Sequence, residues 1–484
     1  MADFHTAICA AGATNSIYRR AKSDIWLAIP PALCACGMEI NMKIKLSDHF
    51  TYGRLLRFCL PSVVMMVFTS IYGVVDGFFV SNFAGKVSFA AINLVMPFIM
   101  ILGGLGFMIG AGGSALVAKT LGEGDKENAS QYFSMLVYFT VVCGIIMTAI
   151  GIIFMRPIAQ ALGATPAMLD DCVIYGRTVM AFNIAFMLQN VFQTFLTTAE
   201  KPKLGLMATL AAGITNMVLD AVFVGAFRWG VTGAAVATGI SQCVGGILPL
   251  IYFARPNSSL LHLSLCRMDA GIIIKACTNG ASELMTNISG SIVSMLYNFQ
   301  LLRFAGENGV AAYGVLMYVQ FIFIAVFIGY TIGTAPVVGY NYGAGNHGEL
   351  KNMLRKSLVI MGCAGAAMMI IAQVLSYPLS GIFVGYDAEL LAMTHRAFRI
   401  FSLSFIIAGF NIFASSFFTA LGNGAVSAGI SFMRTLVFQV VSVLILPVMF
   451  QIDGIWWATT VAELLAVAVS AYFLIRKKNV YHYA

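Results

Sequence analysis

Twelve apolar runs, separated by polar or glycine-rich turns, fill this chain and leave it one kind of environment to fold in. They lie near 58–82, 88–118, 131–155, 171–197, 204–227, 231–254, 272–300, 310–340, 354–377, 390–419, 426–450 and 455–475. A helix needs about 20 apolar residues to cross the hydrocarbon core, and each run reaches that length. A soluble domain carries about 25% charged residues. This chain has 10%, against 60% hydrophobic. The expectation is an all-α polytopic membrane protein with twelve transmembrane helices. Prolines inside the runs (Pro61, Pro97, Pro249, Pro336, Pro447) mark expected kinks, since each removes a backbone donor.

The runs repeat. Gly106-Phe-Met-Ile-Gly110 is echoed by Gly329-Tyr-Thr-Ile-Gly333, and Gly122-Glu-Gly-Asp125 by Gly343-Ala-Gly-Asn346. Thr198-Ala199, ahead of a polar turn, is echoed by Thr419-Ala420. The offsets of 221 to 223 residues enclose six runs, an even number, so the two halves cross in the same sense. This divides the chain into an N-terminal extension (1–45), a first six-helix lobe (46–255), a linker (256–275), a second lobe (276–476) and a tail (477–484). Residues 1–41 are too broken for a span or a signal peptide, and are expected to be disordered or absent from the natural protein. With the N-terminus inside, 20 Lys and Arg fall on the cytoplasmic side and seven on the other. That bias puts both termini in the cytoplasm of a cell bearing the protein in its plasma membrane. The net charge of +8 reflects those loops and needs no nucleic-acid partner.

A charged Asp at the centre of a membrane helix costs roughly 2.5–3.5 kcal/mol on insertion scales, so an acid kept in a span is a functional candidate. Of the 20 acidic residues, sixteen fall in tails, loops or span ends and four lie inside spans: Asp76, Asp220, Glu283 and Glu463. Asp220 follows Asn216 at i+4, which sets amide and carboxylate on one helix face. Two carboxylates and an amide in a dry bundle suit a proton or a small hard cation such as Na⁺, and desolvation favours the protonated form of a carboxyl. Glu283 is likewise followed at i+4 by Asn287, and a substrate-binding or cation-binding role stands level there with a structural hydrogen bond. Glu463 follows Trp456-Trp457, a pair expected at the membrane interface, and is read as structural. Gln193 and other hydroxyl and amide residues in the spans add polar points to a cavity.

Enzyme signals are weak. The six His fall in tails, loops or a span end, with no His-Glu-x-x-His, and the glycine-rich turns lack the Gly-Lys-Ser/Thr of a phosphate loop. No catalytic residue, resident metal or cofactor is expected, and transport must draw on an ion gradient.

Over residues 54–476 the chain resembles the multidrug and toxic compound extrusion (MATE) family. The resemblance rests on Tyr72-Gly-Val-Val-Asp76-Gly-Phe-Phe-Val80, Gly122-Glu-Gly-Asp125, Asn216-Met-Val-Leu-Asp220, Gly230-Val-Thr-Gly-Ala-Ala-Val-Ala-Thr238 and Gly333-Thr-Ala-Pro336-Val-Val-Gly-Tyr-Asn341-Tyr-Gly343-Ala-Gly-Asn346. It implies two six-helix lobes around a central cleft, and export of organic cations or other lipophilic compounds in exchange for H⁺ or Na⁺ by alternating access. It implies a first-lobe cation site at Asp76, Asn216 and Asp220, with Thr238 in the same cluster and a helix bend at Pro61. It matches Glu283 only loosely to a second-lobe site found in another subgroup. A two-lobed cleft needs no partner, so a monomer in the lipid bilayer is expected. Two alternatives are a flippase for a lipid-linked oligosaccharide, which would want a basic cavity, and an intramembrane enzyme, which would want a His or Ser constellation.

Overall fold

The computed structural model describes residues 44–483. The expected N-terminal extension lies outside them except for its last two residues, as do Cys9, Cys34 and Cys36. Among the described residues all regular structure is helical: α1 (Tyr52–Phe79), α2 (Lys86–Gly122), α3 (Lys126–Ala161), α4 (Leu169–Ala181), α5 (Asn183–Thr198), α6 (Pro202–Asp220), α7 (Gly230–Ala254), α8 (Ala270–Gly343), α9 (His347–Val384), α10 (Ala388–Phe401), α11 (Phe405–Ala420), α12 (Gly424–Phe432) and α13 (Phe438–Tyr481).

Nine helical stretches among the described residues are long and apolar enough to span a membrane. The pair α4–α5, bent by 54° at Phe182, makes a tenth when counted as one span. Two of the nine are too long for one crossing. The 74 residues of α8 would reach about 110 Å at about 1.5 Å per residue, against a core of about 30 Å. The backbone of α8 leaves helical geometry at Gly306 (φ 62°, ψ −152°), and that of α13 does so at Gln451 (φ 51°, ψ −134°). Dividing both there gives twelve segments. The breaks fall where the sequence turns polar, not at the prolines. Pro61, where the resemblance implies a bend, stands inside α1, whose backbone stays helical on both sides of it.

The repeated sequence folds into repeated turns. Gly124 and Gly345 both take a left-handed backbone (φ 89° and 66°), and the next residue, Asp125 or Asn346, caps the following helix. Asp125 accepts from the Asn128 amide at 3.0 Å, and Asn346 from the Glu349 amide at 3.1 Å. Glycine is needed at these φ values because a Cβ would crowd the backbone.

Packing between α2 and α8 uses glycine differently. A Cβ on Gly280 would lie 1.9 Å from the Met108 carbonyl oxygen, and one on Gly112 2.0 Å from that of Ala276. A shift of 221 residues carries this crossing onto Gly333 of α8, where a Cβ would meet Cys59 Cα of α1 at 2.8 Å. Near the helix ends Gly122 and Gly343 abut the carbonyls of Tyr340 and Lys119, each at 2.0 Å from the would-be Cβ. Small residues let membrane helices approach until backbones touch, which is where dispersion attraction is gathered without help from water.

Of three apolar clusters among the described residues, two take their buried members from residues 80–276 and one from residues 293–458. The last contains Trp456, 2% exposed; of the Trp pair, Trp456 is buried among the helices of the second half and Trp457 is exposed. The large Trp456 ring fills space between those helices. Outward residues such as Val142, Ile145, Ile146 and Ile153 on α3 are exposed, as lipid-facing positions should be.

Candidate cation site

Helix α6 lies against α1 because Gly213 has no side chain to hold it off. A Cβ there would sit 2.4 Å from the Phe68 ring and 2.8 Å from that of Tyr72. That crossing brings Asp76, one turn after Tyr72, against Asp220, two turns after Gly213, and the two carboxyls interact directly. Asp220 is fully buried, 0% exposed, and Asn216 is 1% exposed. Neither Asp220 oxygen has a hydrogen-bond donor among the described residues; nor do Asp76 Oδ1, Asn216 Oδ1 or Thr238 Oγ1. Ionised carboxylates have no hydrogen to share and repel each other. A proton or cation between them satisfies both at once. Thr238 stands on α7, which packs along α6, so the sequence candidates Asp76, Asn216, Asp220 and Thr238 occupy one packed trio of helices. All five unpaired atoms are hard oxygens, which suits H⁺ or Na⁺ and no soft metal.

Two features of this site were invisible in the sequence. Single π-helical turns, Val80–Ala84 and Ala221–Ala226, follow α1 and α6 within a turn of each Asp. Such turns break the regular i−4 bonding and recur at functional positions. The Tyr175 phenol on α4 is buried beside both carboxyls with no hydrogen-bond partner among the described residues. In sequence it is one aromatic among many. Gln193 is buried on α5, and Gln242 on α7 has an unpaired buried oxygen.

The second half is wired differently. Arg434 sits in a third π turn, Met433–Val437. It donates Nε–H to both oxygens of Glu463 at 2.9 and 3.0 Å, and an Nη2–H at 2.8 Å. Asn411 Nδ2 donates to the same carboxylate at 2.7 Å, and Ser470 donates to Asn411 Oδ1 at 2.9 Å. This is a satisfied buried ion pair, the kind of contact that fits the structural role read for Glu463 from the sequence. Removing one partner of such a pair costs about 3–5 kcal/mol because the other is left charged and dry. Arg434→Ala should therefore lower the melting temperature sharply, while an Arg434→Met/Glu463→Leu pair recovers most of the loss in a thermal melt. Glu283 is half-buried on α8 and feels the Arg434 charge. Asn287 does not serve its carboxylate: the amide donates to the Glu283 backbone carbonyl at 2.9 Å.

A family model, MatE, matches residues 61–222 and again 284–445, one copy in each half and 223 residues apart. The chain belongs to the MatE family. Among its relatives is the multidrug export protein MepA of Staphylococcus saprophyticus, 24% identical over 416 residues, which are 86% of this chain and 90% of the relative. A crystal structure of MATE in complex with MaL6 has the same fold, with a TM-score of 0.85 at 21% identity over 90% of this chain and 98% of that one. A multidrug resistance MATE family transporter in an outward-facing conformation matches with a TM-score of 0.82 at 22% identity, over 89% of this chain and 96% of that one. This MatE chain is thus a multi-pass membrane protein. The double match explains why the repeated turns superpose residue for residue in their hydrogen bonding.

Proposed function

We propose that the protein is a secondary active antiporter that exports drug-like or organic-cation compounds in exchange for H⁺ or Na⁺ by alternating access. The observation that carries this reading is the Asp76–Asp220 pair, in which both Asp220 oxygens and Asp76 Oδ1 are buried with no donor among the described residues. Binding an ion there removes the repulsion between two helices, α1 and α6, and so changes how the first lobe packs. Asn216 and Thr238 add neutral oxygens beside the pair. The name of the MepA relative, a multidrug export protein, supports the substrate class. A plasma-membrane location with both termini cytoplasmic and a monomeric state belong to the same reading.

The flippase reading loses its support at Arg434. This arginine, the one the sequence puts well inside a span, is neutralised by Glu463 and makes no basic cavity.

The test uses protein in liposomes loaded with a fluorescent organic cation, with a pH gradient and a Na⁺ gradient imposed separately. Efflux under one of them names the coupling ion. Efflux under neither sinks the antiport reading.

A further inference from the structure

We propose that the stretch ahead of α1, Leu46 to Thr51, is a strap that holds the two halves together at the end of the bundle where α2 passes into α3, with Glu200 and Glu349 as its anchors. The Leu46 amide donates to Glu200 Oε1 at 2.9 Å, and Glu200 lies in the turn between α5 and α6, in the first half. The Leu46 carbonyl accepts from Asn341 of α8, in the second half, at 3.3 Å. Four residues on, the Phe50 amide donates to Glu349 Oε1 at 3.0 Å, and His49 Nδ1 lies 2.7 Å from Glu349 Oε2. The Phe50 carbonyl accepts from Lys356 at 2.6 Å and from Asn352 at 3.0 Å. Leu46 and Phe50 are themselves fully buried. The strap is thus bonded to the first half through the Glu200 carboxylate, to α8 through the Asn341 amide and to α9 through the Glu349 carboxylate.

Glu200 also departs from the repeat in a way that packing alone does not explain. Four turns of one shape join helices at this end, and their left-handed residues are Gly124 (φ 89°), Glu200 (φ 59°), Gly345 (φ 66°) and Gly422 (φ 78°). Three use glycine, the residue that takes this conformation freely. Only this turn holds a glutamate there, a strained choice of the sort retained for a side chain's use. Glu349 is unmatched as well, because its counterpart 221 residues earlier is Asn128. Both acids stand only where the strap runs. The backbone crossings at Gly122–Gly343 and Gly333–Cys59 close the bundle, and the strap bridges the halves that close it.

The purpose given to the strap rests on the alternating-access reading, since a transporter must release this end to open toward it. The test needs neither gradient nor substrate, so its outcome is independent of antiport. Full-length protein in nanodiscs is treated with a soluble maleimide, and modification of Cys59 is followed by mass spectrometry of its peptide. Cys59 is 1% exposed and packs on Gly333, whereas half-buried Cys266, in the loop between α7 and α8 outside the spans, serves as the internal reference. Glu200→Gly relieves the backbone strain while deleting the anchor, so a merely structural Glu200 predicts unchanged or slower labelling. A strap predicts Cys59 labelling faster by on the order of tenfold, the scale set by losing a hydrogen bond to a charged group. Glu200→Gln, whose amide oxygen still accepts from Leu46, should label like the parent, and His49→Ala should label faster. Parent-like labelling in both Glu200→Gly and His49→Ala overturns the strap.

Discussion

Asp220→Asn should abolish ion-driven efflux and leave the protein inserted and no less stable. The buried carboxyl of Asp220 has no donor to either oxygen, so its replacement by a neutral amide of the same shape breaks no hydrogen bond to the protein. It removes a charge whose burial is costly, and a neutral polar group in the same place costs less. The thermal melt should hold or rise. What disappears is the pair's ability to take up and release one positive charge. One charge moving through 100 mV is worth about 2.3 kcal/mol, or about a 50-fold concentration ratio. Efflux measured in liposomes under the coupling gradient should fall by that order, and Asp76→Asn should behave alike because either change leaves a single carboxyl. Wild-type efflux from an Asp76→Asn/Asp220→Asn double variant would falsify the first-lobe site and turn attention to Glu283.

Gly280→Ala should be among the most damaging single-methyl changes in the chain. Its Cβ would fall 1.9 Å from the Met108 carbonyl oxygen and 2.8 Å from the Gly112 amide nitrogen, and both are backbone atoms of α2. No rotamer change relieves such a clash. Helices α2 and α8 must move apart by roughly 1 Å, and overpacking of this kind costs about 1–3 kcal/mol, sometimes more. The same crossing joins the two halves, so transport should fall along with the melting temperature. Gly290→Ala on the same helix is the control. Nothing lies within 4 Å of its Cβ position, and alanine is the better helix former by about 1 kcal/mol. That variant should melt at or above the parent temperature. Equal melts for the two variants would contradict the close backbone crossing.

Composition and run length settled the class of this protein. At 60% hydrophobic and 10% charged the chain has one solvent available, and runs of about 20 residues fix how it uses that solvent. The repeat was legible because paired helix ends demand the same chemistry twice: glycine at φ 89° or 66°, then a capping Asp125 or Asn346. Asp76 and Asp220 stood out for the same reason, since a membrane charges heavily for an acid and a sequence keeps few of them. The helix breaks were less legible. Gly306 and Gln451 bend the backbone, while Pro61 lies in an unbroken helix. A proline removes one donor, and packing decides whether the helix yields there.

Partnership was decided only in three dimensions. Glu463 and Asp220 look alike in sequence, each an acid in an apolar run, yet Glu463 meets Arg434 from 29 positions away and Asp220 meets another acid from 144 positions away. One is satisfied by an ion pair, and the other has no donor among the described residues. Tyr175, the π turns and the anchors of Leu46 belong to the same category. Solvent is an average over a stretch of chain and can be read along it, whereas a hydrogen bond or a charge pair depends on which two distant residues the packing brings within 3 Å.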